Sequence, residues 1–148
     1  MGRYYEDLEA GARIETPRRT IIDADISTFA GLTADFNPLH MDELFAAASD
    51  FKGRITHGPM IVGMAFGLAS RADFMDGTVM GLLDIAWKFM QPVRPGDTIS
   101  AVVTVVDKRP TRKPDRGVVT LQLEVLNQRG ETVQVGTAKV LVRRKAAA

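Results

Sequence analysis

The most apolar segment of the chain is GPMIVGMAFGLASR, residues 58–71. Its apolar side chains fall on every side of a helix, whereas a helix at a protein surface keeps one polar face. The segment is also shorter than the ~20 apolar residues that a membrane span needs. It therefore predicts a long helix buried at the centre of the fold. Gly63 and Gly67, four residues apart, would let another backbone approach this helix closely.

Most of the chain after this helix has the two-residue period of β-strands. The segments predicted as strands, including an earlier one that Pro17 interrupts, are residues 13–20, 79–90, 98–106, 117–126 and 132–142. Residues 127–130 carry a hairpin signal, and strands that follow one another this closely favour antiparallel pairing. The predicted fold class is α+β, with a largely antiparallel sheet around one long helix.

The chain before the long helix is predicted to form two shorter helices. Residues 24–34 have apolar side chains at helical spacing, with Asp23 as the expected N-cap. The Asn37-Pro38 pair ends this helix, because the residue before a proline is pushed away from the α region. Asn37 then caps a second helix over residues 39–48, with Pro38 at its first position.

The amino-acid composition excludes several classes of function. The 148 residues, 45% of them hydrophobic, predict one domain over residues 1–148 with a frayed tail at 143–148. A net charge of +1 argues against a nucleic-acid partner or an anionic membrane. The absence of cysteine excludes disulfides, a thiolate nucleophile and cysteine metal sites. Residues 1–12 lack the apolar core of a signal peptide, so we expect a soluble, cytoplasmic protein.

Two short motifs carry the residue types of acid–base chemistry. The first is TADFNPLH, residues 33–40, and the second is THGPM, residues 56–60. Asp35 ends one predicted helix and His40 lies in the first turn of the next, so the corner between them folds a carboxylate and an imidazole toward one another. Such a pair can hold a water molecule and move protons near neutral pH. A helix N-terminus also disfavours the cationic imidazole, so a neutral, base-competent His40 is expected.

The start of the long helix is a candidate oxyanion site. Gly58 opens the helix, where unpaired N–H groups gather positive potential, and Pro59 has no N–H to contribute. Structural alternatives remain open for every residue of the two motifs. An Asp–His pair also fits a helix cap or a buried hydrogen bond, His57 fits a loop–helix junction, and Gly58 fits a tight turn. The residues alone therefore indicate an acid–base site with no named reaction.

The string DFNPLH, residues 35–40, closely resembles the hydratase signature of the MaoC-like dehydratases, the family of (R)-specific enoyl-CoA hydratases. RITHG at 54–58 resembles the second conserved stretch of that family, and the likeness extends to YEDL at 5–8 and PVRPGD at 92–97. The resemblance implies a hot-dog fold, in which a strongly curved antiparallel sheet wraps a long central helix. It also implies a homodimer or higher homo-oligomer, with a continuous sheet across the dimer and acyl tunnels near the subunit interface.

The same resemblance implies a reaction and residue roles. Asp35 and His40 are the catalytic dyad that activates water, and the Gly58 amide is the oxyanion donor to a thioester carbonyl. Asn37 supports the corner, and we group it with Gly58 and His57 as oxyanion and substrate-binding residues. The implied reaction is reversible syn hydration of a trans-2-enoyl-CoA to an (R)-3-hydroxyacyl-CoA. It requires no metal and no redox cofactor.

The sequence departs from the family pattern at two positions. Ala34 replaces the glycine that is common before the aspartate, and Pro59 stands where many relatives carry methionine. A set of bulky side chains is consistent either with a narrowed acyl tunnel or with ordinary core packing: Met60, Met64, Phe66, Phe74, Met75, Met80 and Trp87.

Three questions stay open at this stage. The basic segment KRPTRKPDR, residues 108–116, fits either a solvated hairpin loop or a clamp for the phosphates of coenzyme A. Thioester hydrolysis on the same fold is an alternative activity, although the DFNPLH pattern argues against it. A further alternative is a subunit of a hetero-oligomeric 3-hydroxyacyl-thioester dehydratase, in which case this chain, which has the dyad, would be the active partner.

Overall fold

The computed structural model describes residues 2–72, 74 and 76–146. Its helices are α1 (Asp23–Thr33), α2 (Pro38–Met41), α3 (Glu43–Ala48) and α4 (Gly58–Ser70), with a 3₁₀ turn at Tyr5–Asp7. Its strands are β1 (Arg13–Glu15), β2 (Arg19–Thr20), β3 (Val79–Phe89), β4 (Thr98–Pro110), β5 (Arg116–Leu126) and β6 (Thr132–Arg143). All the predicted elements are present, and Pro17 splits the first predicted strand into β1 and β2.

The described strands form one antiparallel sheet in the order β1-β4-β5-β6-β3, with β2 also paired to β4. Register shifts interrupt β3 between Leu82 and Asp84 and β4 between Val105 and Asp107. Irregularities of this kind bend a strand and increase its twist, which curves the sheet around a helix. The predicted α+β arrangement, a curved antiparallel sheet around a long helix, is confirmed.

Helix α4 supplies the centre of the core. Its buried residues are Met60, Ile61, Ala65, Leu68 and Ala69, and they join one cluster with the inward side chains of β4, β5 and β6. The prediction of burial on every side is wrong for one stripe of the helix, because Gly63 and Gly67 are exposed. A Cβ atom added at either glycine would meet nothing within 4 Å. These glycines line an open groove between α1 and α4, and no backbone of the described residues packs closely against them.

The chain before α4 forms three helices rather than the two that the sequence predicts. Asp42 ends α2 and caps α3, because its carboxylate accepts a hydrogen bond from the Phe45 N–H at 3.0 Å. Helix α1 begins at Asp23 itself, so Asp23 is not the N-cap. The backbone N–H of the true N-cap, Ile22, is instead satisfied by the side chain of Asp25 at 3.0 Å.

The long strands give the sheet two ends. At the end that we call the Phe89 end, β3 finishes with Phe89 paired to Gln134 of β6. At the opposite end, which we call the Arg116 end, β5 begins with Arg116 paired to Arg143 of β6. The β4–β5 hairpin therefore projects from the Arg116 end, ten residue steps or about 33 Å along β5 from the other end.

The sequence predicts a frayed tail at residues 143–148, but the structure holds residues 143–145 in place. Arg143 is the last residue of β6, and Arg144 donates to the carboxylate of Glu6 at 2.8 Å while Lys145 pairs with Asp7. The hydrogen bond from Lys145 lowers the pKa of the Asp7 carboxyl group below its usual value. Residues 147 and 148, the end of the predicted tail, lie outside the described residues, as does Met75.

Across the described ranges, we find no helix that combines the length and the apolar character required to cross a bilayer.

Candidate active site

The corner between α1 and α2 is built by local backbone geometry. Ala34 ends α1 in the left-handed conformation, with φ of 61°. This conformation strains an L side chain, which gives a physical reason for the glycine common at this position in the family that the motif resembles. Asn37 then caps α2 by accepting the Leu39 N–H at 3.0 Å, and Pro38 occupies the first helical position as predicted.

This corner brings Asp35 and His40 face to face. The Nε2 atom of His40 lies 4.0 Å from Oδ2 of Asp35, and its Nδ1 atom lies 2.8 Å from the carbonyl oxygen of Ile55. A carbonyl oxygen only accepts, so Nδ1 carries the proton in this hydrogen bond and a neutral ring keeps its lone pair on Nε2. The side chain of Asp35 is 49% exposed and that of His40 is 13% exposed. The free nitrogen therefore points toward a carboxylate at the solvent boundary.

His57 lies behind the pair, on its buried side, and is only 1% exposed. Its Nε2 donates to the backbone carbonyl of Asp35 at 2.9 Å. Its ring stacks on the His40 ring with centroids 3.9 Å apart and also contacts Phe29 at 4.9 Å. His57 thus contacts both members of the pair, one through the main chain and the other through its ring. Its Nδ1 is buried and has no hydrogen-bond partner among the described residues.

The first turn of α4 follows directly after His57. The Met60 N–H donates to the His57 carbonyl at 3.2 Å, and Pro59 has no N–H. The Gly58 N–H stands at the very start of the helix, where an amide has no partner within the helix. A Cβ atom at this position would lie 2.8 Å from the ring of Phe89, so a larger residue would displace that ring.

A buried glutamine holds this turn against the sheet. Gln134 of β6 is 2% exposed and donates to the Gly58 carbonyl at 3.3 Å. Its own carbonyl oxygen accepts from the indole N–H of Trp87 at 2.9 Å. The sequence-based prediction omitted Gln134. The available signal was a polar residue between Val133 and Val135 in a strand otherwise rich in valine.

Two other contacts that the sequence did not indicate fix the surroundings of the corner. The first is the hydrogen bond from His40 to the backbone carbonyl of Ile55, a group that every residue type has and that a sequence therefore cannot single out. Arg54 bridges Glu43 and Asp23, each at 2.8 Å, and so ties α3 to the start of α1. The hydrogen bond to Glu43, followed by that to Asp23, raises the pKa of the Arg54 guanidinium above its usual value.

An open cavity of about 340 Å³ lies next to Gly58. Its lining is mostly apolar and consists of Phe51, Ile55, Thr56, Gly58, Phe89, Met90, Gln91, Pro92, Val93 and Gln134. Ile55 connects this cavity to His40 through its carbonyl group, although neither Asp35 nor His40 is among the lining residues. The cavity therefore places an apolar chamber beside the candidate oxyanion donor.

The bulky residues of the sequence prediction do not line one tunnel. Met60 and Met64 line the groove between α1 and α4, while Phe66 lines a separate cavity of about 310 Å³ with Val79 and Leu82. Phe74 is 1% exposed in the core. Core packing and separate surfaces account for these side chains, and Met75 cannot be assigned because it lies outside the described residues.

Asp35, His40 and His57 also offer donor atoms that lie within 4.8 Å of one another, a spacing open to a metal ion. However, Nδ1 of His40 and Nε2 of His57 are already used in hydrogen bonds to backbone carbonyls. A metal would then have only Nε2 of His40, the Asp35 carboxylate and the buried Nδ1 of His57. A hydrogen bond from one ring nitrogen orients the other nitrogen for either role, so this geometry suits metal binding as well as proton transfer.

A curved antiparallel sheet surrounds the buried helix α4, and the Asp35–His40 pair lies beside His57 at the start of that helix. Both features are those of a known protein family. The family model described as the MaoC like domain matches residues 7–127. The chain belongs to this family.

Three relatives illustrate the range of the family. The protein MaoC of Klebsiella aerogenes is 38% identical over 120 residues, 77% of this chain, but this chain spans only 33% of that protein's length. The (R)-specific enoyl-CoA hydratase of Rhodospirillum rubrum is 38% identical over 74% of both chains. The 3-hydroxybutyryl-CoA dehydratase of Methylorubrum extorquens is 32% identical over 96% of this chain and 85% of that protein. The two relatives whose names state a reaction are hydro-lyases.

Solved structures agree on the fold. The MaoC-like dehydratase of Rhodospirillum rubrum superposes with a TM-score of 0.89 at 35% identity, over 99% of this chain and 100% of that one. A protein of Mycobacterium tuberculosis described as a double hot-dog fold superposes with a TM-score of 0.88 at 19% identity, over 99% of this chain and 46% of that one. The fold of this chain is the hot-dog fold.

Proposed function

We propose that the protein is a hydro-lyase that catalyses the reversible hydration of a trans-2-enoyl-CoA to an (R)-3-hydroxyacyl-CoA. The observation that carries the proposal is the 4.0 Å approach of His40 Nε2 to Asp35 Oδ2, with the opposite ring nitrogen held by Ile55. This separation suits two groups that share one water molecule rather than bond to each other directly. The named activities of two relatives support the same class of reaction.

In the proposed hydration, the Asp35–His40 pair orients a water molecule and takes one of its protons. The remaining hydroxyl adds to C3 of the enoyl thioester. The π electrons of the C2–C3 double bond shift toward C1, and the carbonyl oxygen takes the negative charge of the enolate. The pair then delivers a proton to C2 as the carbonyl re-forms. Both new bonds come from the same side of the substrate, which gives syn addition.

The enolate oxygen needs a donor that is already in place when the charge develops. Gly58 suits this role, because its N–H stands at the N-terminus of a 13-residue helix and its neighbours Pro59 and Met60 offer no free N–H. Gln134 supports the geometry by holding the Gly58 carbonyl. The chemistry so described uses no metal and no redox cofactor.

The protein is further proposed to act as a homodimer through β3. Among the described strands, β3 pairs with β6 alone and so lies at the edge of the sheet. It exposes large apolar side chains, among them Leu82 at 50%, Leu83 at 54% and Ile85 at 42%. An exposed apolar edge strand is normally covered, and a second copy of the same strand would continue the sheet by antiparallel pairing.

The experiment that tests the reaction uses crotonyl-CoA and the purified protein. The proposal predicts loss of the enoyl absorbance, no release of free thiol, and an (R)-configured product. Release of thiol with the enoyl absorbance intact would instead establish the thioesterase alternative. An inert protein that gains hydratase activity only after mixing with another subunit would establish the hetero-oligomer alternative.

A further inference from the structure

The helices that build the Asp35–His40 corner are rich in acidic residues. Residues 20–51, which build the Asp35–His40 corner, contain six acidic residues and no lysine or arginine. Asp23 and Glu43 pair with Arg54, but Asp42 and Asp50 have no Lys or Arg partner within the described residues. The segment that carries Asp35 and His40 therefore supplies no cation for the polyanionic head of coenzyme A, and the basic residues at this end of the sheet lie on other segments, among them Lys52, Lys88 and Arg94.

Basic residues are concentrated at the Arg116 end of the sheet. Residues 107–116 contain five basic and two acidic residues. Arg116 pairs with Asp115, whereas Arg109, Arg112, Lys113 and the nearby Arg143 are exposed and make no ion pair with a described residue. Four exposed cations that make no ion pair with a described residue thus lie at the base and the tip of the β4–β5 hairpin.

Within one protomer, these cations lie far from the candidate active site. Gly58 contacts Phe89 and Gln134, so the site lies at the Phe89 end of the sheet. The hairpin projects from the Arg116 end, about 33 Å away along β5. The hairpin of one protomer is therefore poorly placed to contact a substrate bound at the Asp35–His40 pair of the same protomer.

In the proposed dimer, the hairpin of one protomer lies near the candidate active site of the other. Two copies of β3 that pair antiparallel about a two-fold axis place the Val79 end of one strand beside the Phe89 end of the other. Val79 pairs with Val142 of β6, directly before Arg143, and Arg143 pairs with Arg116 at the base of the hairpin. The basic hairpin end of one protomer then lies on the same side of the dimer as the site end of its partner.

We propose that the β4–β5 hairpin binds the phosphates of the CoA thioester that reacts in the opposite protomer, with Arg112 and Lys113 at its tip as the principal contacts. Arginine offers a planar fork of donors that matches phosphate oxygens, and lysine adds a mobile point charge. This inference rests on the proposed function and on the proposed dimer. Each active site is then completed by the partner subunit.

The first test compares two substrates. R112E/K113E raises the KM for crotonyl-CoA roughly tenfold relative to the KM for crotonyl-N-acetylcysteamine, a thioester without phosphates. R112Q/K113Q raises the same ratio less, because it removes the cations without adding negative charge. The matched control is R13E/R18E, the same charge change at two exposed arginines near the β1 edge of the sheet, and it leaves the ratio unchanged. An unchanged ratio in R112E/K113E would overturn the phosphate site.

The second test asks which subunit supplies the cations. A mixed dimer is purified through two different tags, one subunit carrying D35N and the other R112E/K113E. Its only intact Asp35–His40 pair faces the unaltered hairpin of the partner, so the KM for crotonyl-CoA returns to the wild-type value. A KM that stays raised would show that the hairpin acts within its own protomer and would overturn the proposal.

A binding measurement separates this proposal from the proposed reaction. The probe is adenosine 3′,5′-bisphosphate, which carries phosphates of the CoA head but no reactive group. R112E/K113E weakens its calorimetric Kd roughly tenfold if the hairpin binds phosphate, whether or not the wild-type protein hydrates crotonyl-CoA. If wild-type hydration is observed and the Kd is unaffected, the reaction stands and the phosphate site is wrong.

Discussion

At the scale of single residues, the account depends on how His40 and Asp35 are held. His40 donates Nδ1–H to the Ile55 carbonyl, which leaves Nε2 as the proton acceptor facing Asp35. His57 supports both groups from the buried side through one hydrogen bond and one ring stack. We therefore assign His57 a positioning role, distinct from the substrate-binding group in which the sequence motif placed it. A positioning role predicts a change in turnover rather than in substrate affinity.

The variant His57→Phe tests this assignment. It keeps a ring to stack on His40 but loses the donor to the Asp35 carbonyl, and a neutral hydrogen bond contributes about 1 kcal/mol. We expect kcat for crotonyl-CoA hydration to fall about fivefold with KM changed less than twofold. His57→Gln, which can restore a donor, recovers part of kcat. A rise in KM with kcat unchanged would instead make His57 a substrate-binding residue.

At the scale of elements, close contacts across β3, β6 and α4 fix the site end of the sheet. Gly136 of β6 lies against Trp87, and a Cβ atom there would come within 2.0 Å of the indole ring and 2.7 Å of the Ala86 carbonyl oxygen. Trp87 in turn bonds to Gln134, which holds Gly58. Packing at this glycine is therefore connected to the geometry of the oxyanion donor.

Gly136→Ala tests how tightly these elements are packed. We expect it to lower the free energy of unfolding by about 1–3 kcal/mol, because overpacking forces the indole ring or the backbone to shift. Gly31→Ala is the matched control, since a Cβ atom there meets nothing within 4 Å and alanine favours the α1 helix by about 0.5–1 kcal/mol. Urea unfolding measures both variants. Equal stability of Gly136→Ala and the wild type would contradict the contact.

The elements also show what the sequence can and cannot predict. The apolar run of α4 and the alternation of the strands predicted the fold, because burial imposes a period on neighbouring residues. The break at Asp42 was missed, since a capping aspartate competes locally with a helix that the pattern would continue. The corner placed Asp35 beside His40 through the local Asn37-Pro38 turn. Gln134 and the Ile55 carbonyl approach from distant parts of the chain, and no local pattern reports such contacts.

At the scale of the whole molecule, the exposed apolar edge strand β3 favours a two-fold assembly. The edge is apolar where the partner's edge would lie, and in the proposed dimer the site end of one copy lies beside the basic hairpin end of the other. An active site at this junction would depend on both subunits. Loss of the dimer is therefore expected to affect affinity for CoA thioesters as well as stability.

Ile85→Lys tests the assembly. A lysine at the centre of the edge strand introduces two like charges across the two-fold axis, so we expect a monomer in light scattering at micromolar concentration. Val106→Lys is the control, because Val106 is 47% exposed on β4, away from the β3 edge, and we expect that variant to keep the wild-type mass. A wild-type chain that is itself monomeric would contradict the proposed dimer.

The most direct measurement of the central claim is the rate of crotonyl-CoA hydration by Asp35→Asn. The amide preserves the shape of the corner and removes the carboxylate that shares the water with His40, and general acid–base groups contribute about 10²–10⁴ in rate. The account predicts a fall in kcat within that range, with an unchanged circular dichroism spectrum and unfolding midpoint. Turnover within threefold of the wild type by a folded Asp35→Asn would contradict it.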